Sequence, residues 1–306
     1  MNEYPEAQSA DNSRGADWRA RLEGLVPRSI EGKHVAVVGC GSVGSFIASE
    51  LVRTGVRQMT LADPDTVDWP NLTRTVYGHG DIGRSKVEAL ANHLKSIFPD
   101  IAIRSFRSPI QELLKNFNEN FQGVDLVIAA TDDPAANGSL DRFCYWHGVP
   151  IVFVGLYRAA KGGEVIVTIP NRTPCFHCST GGVRKVADEA GMPKVVRTQR
   201  NYDTKRLVGE VALGADIHFV CCAAAKIVVS VLCRDDEATP ISAFMDRQIA
   251  EDANFLMLGM EPDYFLFPST HGNAVGQYAF QSIWAKTSNV DECEVCGLPD
   301  NRQEPV

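Results

Sequence analysis

Gly39-Cys-Gly41-Ser-Val-Gly44 leaves this chain few folds to choose from. The run before it, His34–Val38, is short, apolar and β-branched, as a buried strand is. Behind it, Ile47, Ala48, Leu51 and Val52 recur at helical spacing within Gly44–Thr54. A strand that turns on G-x-G-x-x-G directly into a helix is the opening unit of a parallel α/β sheet. The first glycine permits the tight turn, and the second lets backbone approach a phosphate. The third lets the helix pack on the strand, and the helix N-terminus adds positive partial charge. Gly39, Gly41, Ser42 and Gly44 are therefore candidate nucleotide-binding residues. Asp63 follows Gly44 by 19 residues, at the end of the next strand, where its carboxylate can accept from ribose hydroxyls.

The rest of the chain continues the alternation. Gln58–Asp63, Ile101–Arg107, Asp125–Thr131, Ile151–Tyr157 and Glu164–Ile169 read as strands. Arg84–Phe98 is an amphipathic helix stopped by Pro99, with Val87, Leu90, Ala91, Leu94 and Phe98 on one face. Trp18–Leu25 suggests a short helix ended by Pro27, after a polar, disordered tail over residues 1–16. Phe255–Met260, Tyr264–Phe267 and Gly276–Trp284 read as antiparallel strands. The predicted fold class is α/β, a Rossmann-like, mostly parallel sheet with antiparallel C-terminal strands. Polar Arg184–Glu210 has no period and is expected to be a long mobile loop.

Composition narrows the function. The net charge is −8, which argues against a nucleic-acid binder held by phosphate contacts. Val211–Cys233 is apolar but carries Asp216, His218 and Lys226, so a buried helix is expected rather than a membrane span. The first 16 residues lack the apolar core of a secretory signal, and the cysteine count of nine is odd. A reducing, cytoplasmic location is the expectation, with cysteine pairs serving as metal ligands or catalysts rather than disulfides.

The residues around the glycine turn discriminate between nucleotides. Asp63-Pro-Asp-Thr-Val-Asp-Trp-Pro-Asn71-Leu72-Thr-Arg74 extends past the second strand, and Lys86 opens the following helix. Asp132 follows the strand ending at Thr131. Hydride transfer to NAD has no use for this Arg, Lys and Asp. A triphosphate does: Arg74 and Lys86 neutralise phosphate oxygens, and Asp132 holds Mg²⁺.

With these motifs the chain resembles the ubiquitin-activating-enzyme-like superfamily and its ThiF-type adenylyltransferases. Gly162-Gly163-Glu164, followed by Pro174-Cys175-Phe-His-Cys178, is similar to that family as well. The resemblance covers about residues 30–235 and returns at Cys293–Cys296. It implies ATP as co-substrate, Asp63 on the ribose, Asn71, Arg74 and Lys86 on the phosphates, and Mg²⁺ on Asp132. It implies residues 1–28 as an N-terminal tail with a short helix and 29–306 as a single adenylation domain. Within that domain, 29–170 is the nucleotide-binding half and 171–306 the carrier-binding half, with the loop 184–210. It implies a homodimer, in which many relatives send an N-terminal Arg to the partner's ATP; Arg14, Arg19 and Arg21 all remain candidates.

Cys175-x-x-Cys178 and Cys293-x-x-Cys296 form two knuckles with 114 residues between them. Four thiolates suit a tetrahedral Zn²⁺ that staples the C-terminus back onto the domain. His177 is expected to point away, and Cys40 and Cys144 to fill core space.

The expected reaction is ATP-dependent adenylation of the C-terminal carboxylate of a ubiquitin-like or sulfur-carrier protein with a flexible tail. Products are an acyl-adenylate and pyrophosphate, handed to a downstream conjugating or sulfur-transfer protein. Adenylation of a peptide on the way to a modified peptide is the alternative. An NAD-dependent oxidoreductase and a non-catalytic nucleotide-binding scaffold rank below both. Relatives that load the acyl group onto a cysteine carry it after the first C-x-x-C. Here no cysteine occurs between Ser179 and Val220. Cys221 and Cys222 are expected inside the apolar helix, their thiolates disfavoured by burial, so no enzyme thioester is expected; the runner-up is that Cys221, Cys222 or Cys233 becomes exposed after a loop rearrangement. Ser179 or Thr180 as an ester-forming acceptor is a weaker expectation.

Overall fold

In a computed structural model of the chain, residues 18–181, 211–262 and 279–305 are described. The core is one sheet of eight strands in the order β3-β2-β1-β4-β5-β6-β7-β8. β1 (His34–Val38), β2 (Gln58–Ala62), β3 (Ala102–Phe106), β4 (Leu126–Ala129) and β5 (Ile151–Leu156) run parallel. β6 (Gly162–Thr168), β7 (Phe255–Gly259) and β8 (Gln281–Ala285) complete it in antiparallel pairings. The mostly parallel sheet with antiparallel C-terminal strands is therefore present. The expected strands at 264–267 and at the start of 276–284, and the expected loop 184–210, lie outside the described residues.

Successive residues of a strand point to opposite faces, and β1 shows the consequence. Val35 and Val37 join the core beneath α1 (Ser42–Thr54) and α2 (Lys86–Ile97), with Ile47, Leu51, Leu90 and Leu94. Ala36 and Val38 join the opposite core, beneath α3 (Ile110–Leu114), α4 (Phe117–Asn120) and α5 (Pro134–Trp146). Both faces are covered, which is why the strands are continuously apolar rather than alternating.

The apolar stretch at 211–233 forms α6 (Gly214–Cys233), packed on α1, β5 and β6. It is long and apolar enough to cross a membrane, yet 67% of its most apolar window is buried within the chain. It serves as a core helix here. A last short helix, α7 (Asp246–Ala250), precedes β7.

Two departures from the sequence reading have local causes. Trp18–Leu25 is a run of turns, not a helix. Gly24 at φ +72° breaks the ladder there. Buried Arg19 holds the segment instead, donating to the Val26 carbonyl (2.6 Å) and pairing with Glu31 (3.2 Å). Sequence reasoning also passed over α5. Its signal is Asp133-Pro134: Asp133 accepts from the Ala135 N–H at 2.9 Å, and proline occupies the first turn.

Candidate functional site

The helices following β1 and β4 leave to opposite faces of the sheet, so a crevice opens beyond the C-terminal ends of these two neighbours. In open α/β sheets this switch point is where ligands bind. The glycine turn lies there. Gly39 donates to the Ala62 carbonyl at the end of β2, and Ala130 donates to Val38, both at 2.8 Å. Gly39 has φ +92°, and a Cβ on it would stand 2.5 Å from the Ala130 carbonyl oxygen. A Cβ on Gly44 would run into the Gly39 carbonyl. On Gly41 it would meet nothing within 4 Å. Two glycines are therefore demanded by packing, and the middle one borders open space, as a phosphate cradle requires. Ser42 is the first residue of α1.

Asp63 is buried directly beneath the turn. One carboxylate oxygen accepts from the Cys40 N–H (2.7 Å), the other from the Asp65 N–H (2.8 Å). Each oxygen keeps a further lone pair, so the carboxylate is oriented while still able to accept from ribose hydroxyls. Lys86 opens α2 and its ammonium pairs with Asp65 at 2.8 Å, the lysine side chain 12% exposed. Burial works to lower the pKa of Lys86, but Asp63 and Asp65 outweigh it and the net direction is up. The lysine is held charged at the edge of the crevice. Asp65, which pairs with Lys86, and Tyr77, whose buried hydroxyl donates to the Cys40 carbonyl, are not among the residues singled out from sequence. The Asp63-Pro-Asp65 spacing was a signal for the first, and nothing local marked the second.

Asn71 and Arg74 come from a separate 3-10 turn, Trp69–Thr73. The Asn71 side chain accepts from the Asp68 N–H in a capping box, and Arg74 ends the turn. Arg74 lies against the start of α6, its Cα 3.5 Å from where a Cβ on Gly214 would be. Asp132 is exposed just past β4, beside the glycine turn through Ala130 and Thr131. An exposed carboxylate at this crevice fits a Mg²⁺ ligand in donor type.

The second constellation is the cysteine cluster. The Sγ atoms of Cys175, Cys178, Cys293 and Cys296 lie within 4.8 Å of one another, all four residues buried. Cys175 and Cys293 are 3.7 Å apart, Cys178 and Cys296 3.5 Å. A tetrahedron with Zn–S arms of 2.3 Å has S···S edges of about 3.8 Å, so the donor set and its spacing fit zinc. Beneath it, buried Asp141 accepts from the N–H groups of Phe176 (3.0 Å) and His177 (3.2 Å) and fixes the first knuckle. Burial pushes the Asp141 carboxyl up to about 7. His177 is exposed and turned away.

Asn254 locks the neighbourhood. Its amide donates to the Val167 and Pro174 carbonyls and to Ser179, and its oxygen accepts from Thr287 at 2.6 Å. Ser179 is thereby buried and occupied, and Thr180 donates to the Phe176 carbonyl. Neither is placed as an accessible acceptor.

Of the other cysteines, Cys40 and Cys144 are buried as expected. Cys221 is buried and its thiol pushed up by burial; Cys233 is pushed up to about 11 for the same reason. Cys222 departs from expectation, being exposed on the outer face of α6. Partial burial and nearby Glu50 still raise its pKa. Among the N-terminal arginines, Arg19 is committed to the core, Arg21 is exposed, and Arg14 lies outside the described residues.

Residues 22–258 match the ThiF family. The chain belongs to the ThiF family, and the enzyme class that the sequence resemblance implied, an adenylyltransferase, is the class of that family. Among curated proteins it is similar to the ubiquitin-like modifier-activating enzyme 5 of Arabidopsis thaliana, 30% identical over 159 residues, 47% of this chain and 37% of that one. The enzyme of the same name from Drosophila mojavensis is 32% identical over 161 residues, 49% and 40% of the two chains. The aligned part thus spans well under half the length of these relatives. Among solved structures, E. coli MccB with MccA-N7isoASN superposes with a TM-score of 0.64 at 16% identity, covering 88% of this chain and 68% of that one. MccB with ATP gives 0.59 at 17% identity over the same shares. At that identity the likeness is one of fold.

Proposed function

We propose that the chain is an ATP-dependent adenylyltransferase that activates the C-terminal carboxylate of a ubiquitin-like or sulfur-carrier protein. The observation that carries this reading is the hydrogen-bonded set of the glycine turn, Asp63, Asp65 and Lys86 at the β1/β4 switch point, with Asp132 beside it. A dinucleotide would use the turn and Asp63 and leave the lysine and the second carboxylates idle.

In this reading the substrate carboxylate attacks the α-phosphorus of ATP and pyrophosphate departs. The outward backbone of Gly41 and the N-terminus of α1 receive phosphate oxygens. Asp63 fixes the ribose, and Asn71, Arg74 and Lys86 hold the phosphate tail. Lys86 exchanges Asp65 for a phosphate oxygen. Asp132 would hold Mg²⁺, which would supply further neutralisation of the phosphate charge. Little covalent work falls to the protein, whose share is alignment and charge stabilisation. Zn²⁺ on the four cysteines is structural, since four protein ligands leave no open position. A two-fold homodimer and hand-over to a downstream conjugating or sulfur-transfer protein belong to the same proposal.

The curated relatives, named for activation of ubiquitin-like modifiers, favour a carrier protein. The fold neighbour MccB, described as a microcin C7 biosynthetic enzyme in complex with N-formylated MccA, favours the second reading, adenylation of a peptide. Thermal shift with MgATP and with NAD tests the shared core: MgATP raises the melting temperature and NAD does not. Stabilisation by NAD alone contradicts it.

A further inference from the structure

Cys40, the second residue of the glycine turn, is held from both sides. Its N–H donates to Asp63 at 2.7 Å. Its carbonyl accepts from the Tyr77 hydroxyl at 2.5 Å. The same hydroxyl stands 3.2 Å from the carbonyl of Lys86. Tyr77 is 5% exposed, and burial first, then nearby acidic groups, raise its pKa, so the phenol stays a proton donor. One buried hydroxyl therefore ties the turn to the first residue of the helix that carries the phosphate-facing lysine.

The consequence follows from peptide geometry. In a planar trans peptide the C=O and N–H point in opposite directions. The Cys40 carbonyl and the Gly41 N–H belong to one peptide unit. Tyr77 draws that carbonyl inward, and the Gly41 N–H then points the opposite way, away from the Tyr77 contact. Asp63 prevents the preceding peptide from turning the other way. Without the hydroxyl, the buried carbonyl loses its partner and the unit is free to rotate, taking the Gly41 donor out of the crevice.

We infer that Tyr77 is a positioning residue for the nucleotide phosphates: its hydroxyl sets the Gly41 peptide as a phosphate donor and fixes the start of α2 relative to it. This rests on the adenylyltransferase reading and adds a residue that none of the motifs contains. Tyr77 does not touch substrate in this account; it acts through the Cys40–Gly41 peptide and the backbone of Lys86.

The test is Tyr77→Phe, which keeps the buried ring and removes only the hydroxyl. Loss of one orienting hydrogen bond should raise the Kd and the KM for MgATP about fivefold, with kcat changed less than about twofold. Affinity for adenosine, which has no phosphate, should be unchanged. A merely structural role would weaken adenosine and MgATP alike, and that result overturns the inference. So does a variant that binds MgATP as the wild type does. A wild-type chain that binds no MgATP overturns the adenylyltransferase reading, and this inference with it.

Discussion

At the scale of single residues, the site is made of groups with two duties. Asp63 supports the glycine turn from below and, in the proposed reading, also receives the ribose hydroxyls. Lys86 pairs with Asp65, which keeps a half-buried ammonium from being unpaired; in the proposed reading a phosphate oxygen takes that place. Their positions were legible in sequence, because spacing after a strand fixes which residues reach a strand end. The supporting partners were less so: Asp65 is marked only by its spacing from Asp63, and Tyr77 acquires its contacts only in the folded chain. The cysteines show the same limit. The apolar content of the 211–233 stretch pointed to a buried helix, and Cys221 is buried in it. Cys222 lies one position, about 100° of helix, further round and faces outward. Exposure alone does not make a transfer thiol, because its pKa is raised, not depressed. Incubation with MgATP and an activatable carrier should therefore give no reductant-sensitive adduct, and Cys222→Ser should keep full adenylation activity. An adduct on non-reducing gels that Cys222→Ser abolishes would reverse that conclusion.

At the scale of elements, the parallel strands and the two long helices flanking β1 and β2 were readable, since continuous apolar runs and a 3.6-residue period are local signals. Helix α5 was passed over because its apolar face is diluted by Asn137, Gly138 and Ser139, leaving the Asp133-Pro134 cap as its marker. The N-terminal segment has apolar residues at helical spacing but forms turns, because Gly24 breaks the ladder and Arg19 holds the chain through the Val26 carbonyl and Glu31 instead. The cysteine knuckles were the clearest long-range signal, as a C-x-x-C needs a second pair to close a zinc shell. They join the start of the segment after β6 to the chain beyond β8. Purified without chelator, the protein should carry one Zn²⁺ per chain by elemental analysis. Cys175→Ala should lower the melting temperature by roughly 10 °C or more, because metal binding in such sites contributes on the order of 10 kcal/mol to folding. Zinc near zero in folded, stable protein would contradict the assignment.

At the scale of the whole molecule, one sheet does two jobs. Its parallel half creates the switch-point crevice by sending α1 and α5 to opposite faces. Its antiparallel half leads on to the four-cysteine cluster, whose two knuckles follow β6 and β8. Catalysis by alignment demands such a scaffold, since misplacement of reacting groups by about 1 Å can cost a hundredfold in rate. The central claim is that this crevice forms an acyl-adenylate. Exchange of labelled pyrophosphate into ATP reads that step directly, with ubiquitin-like carriers and short peptides supplied in parallel. Exchange should require Mg²⁺ and a substrate with a free C-terminal carboxylate. It should fall at least a hundredfold in Asp132→Ala while the melting temperature stays within a few degrees of wild type. Exchange undiminished in Asp132→Ala, or absent with every carboxylate substrate while NAD binds, would contradict the account.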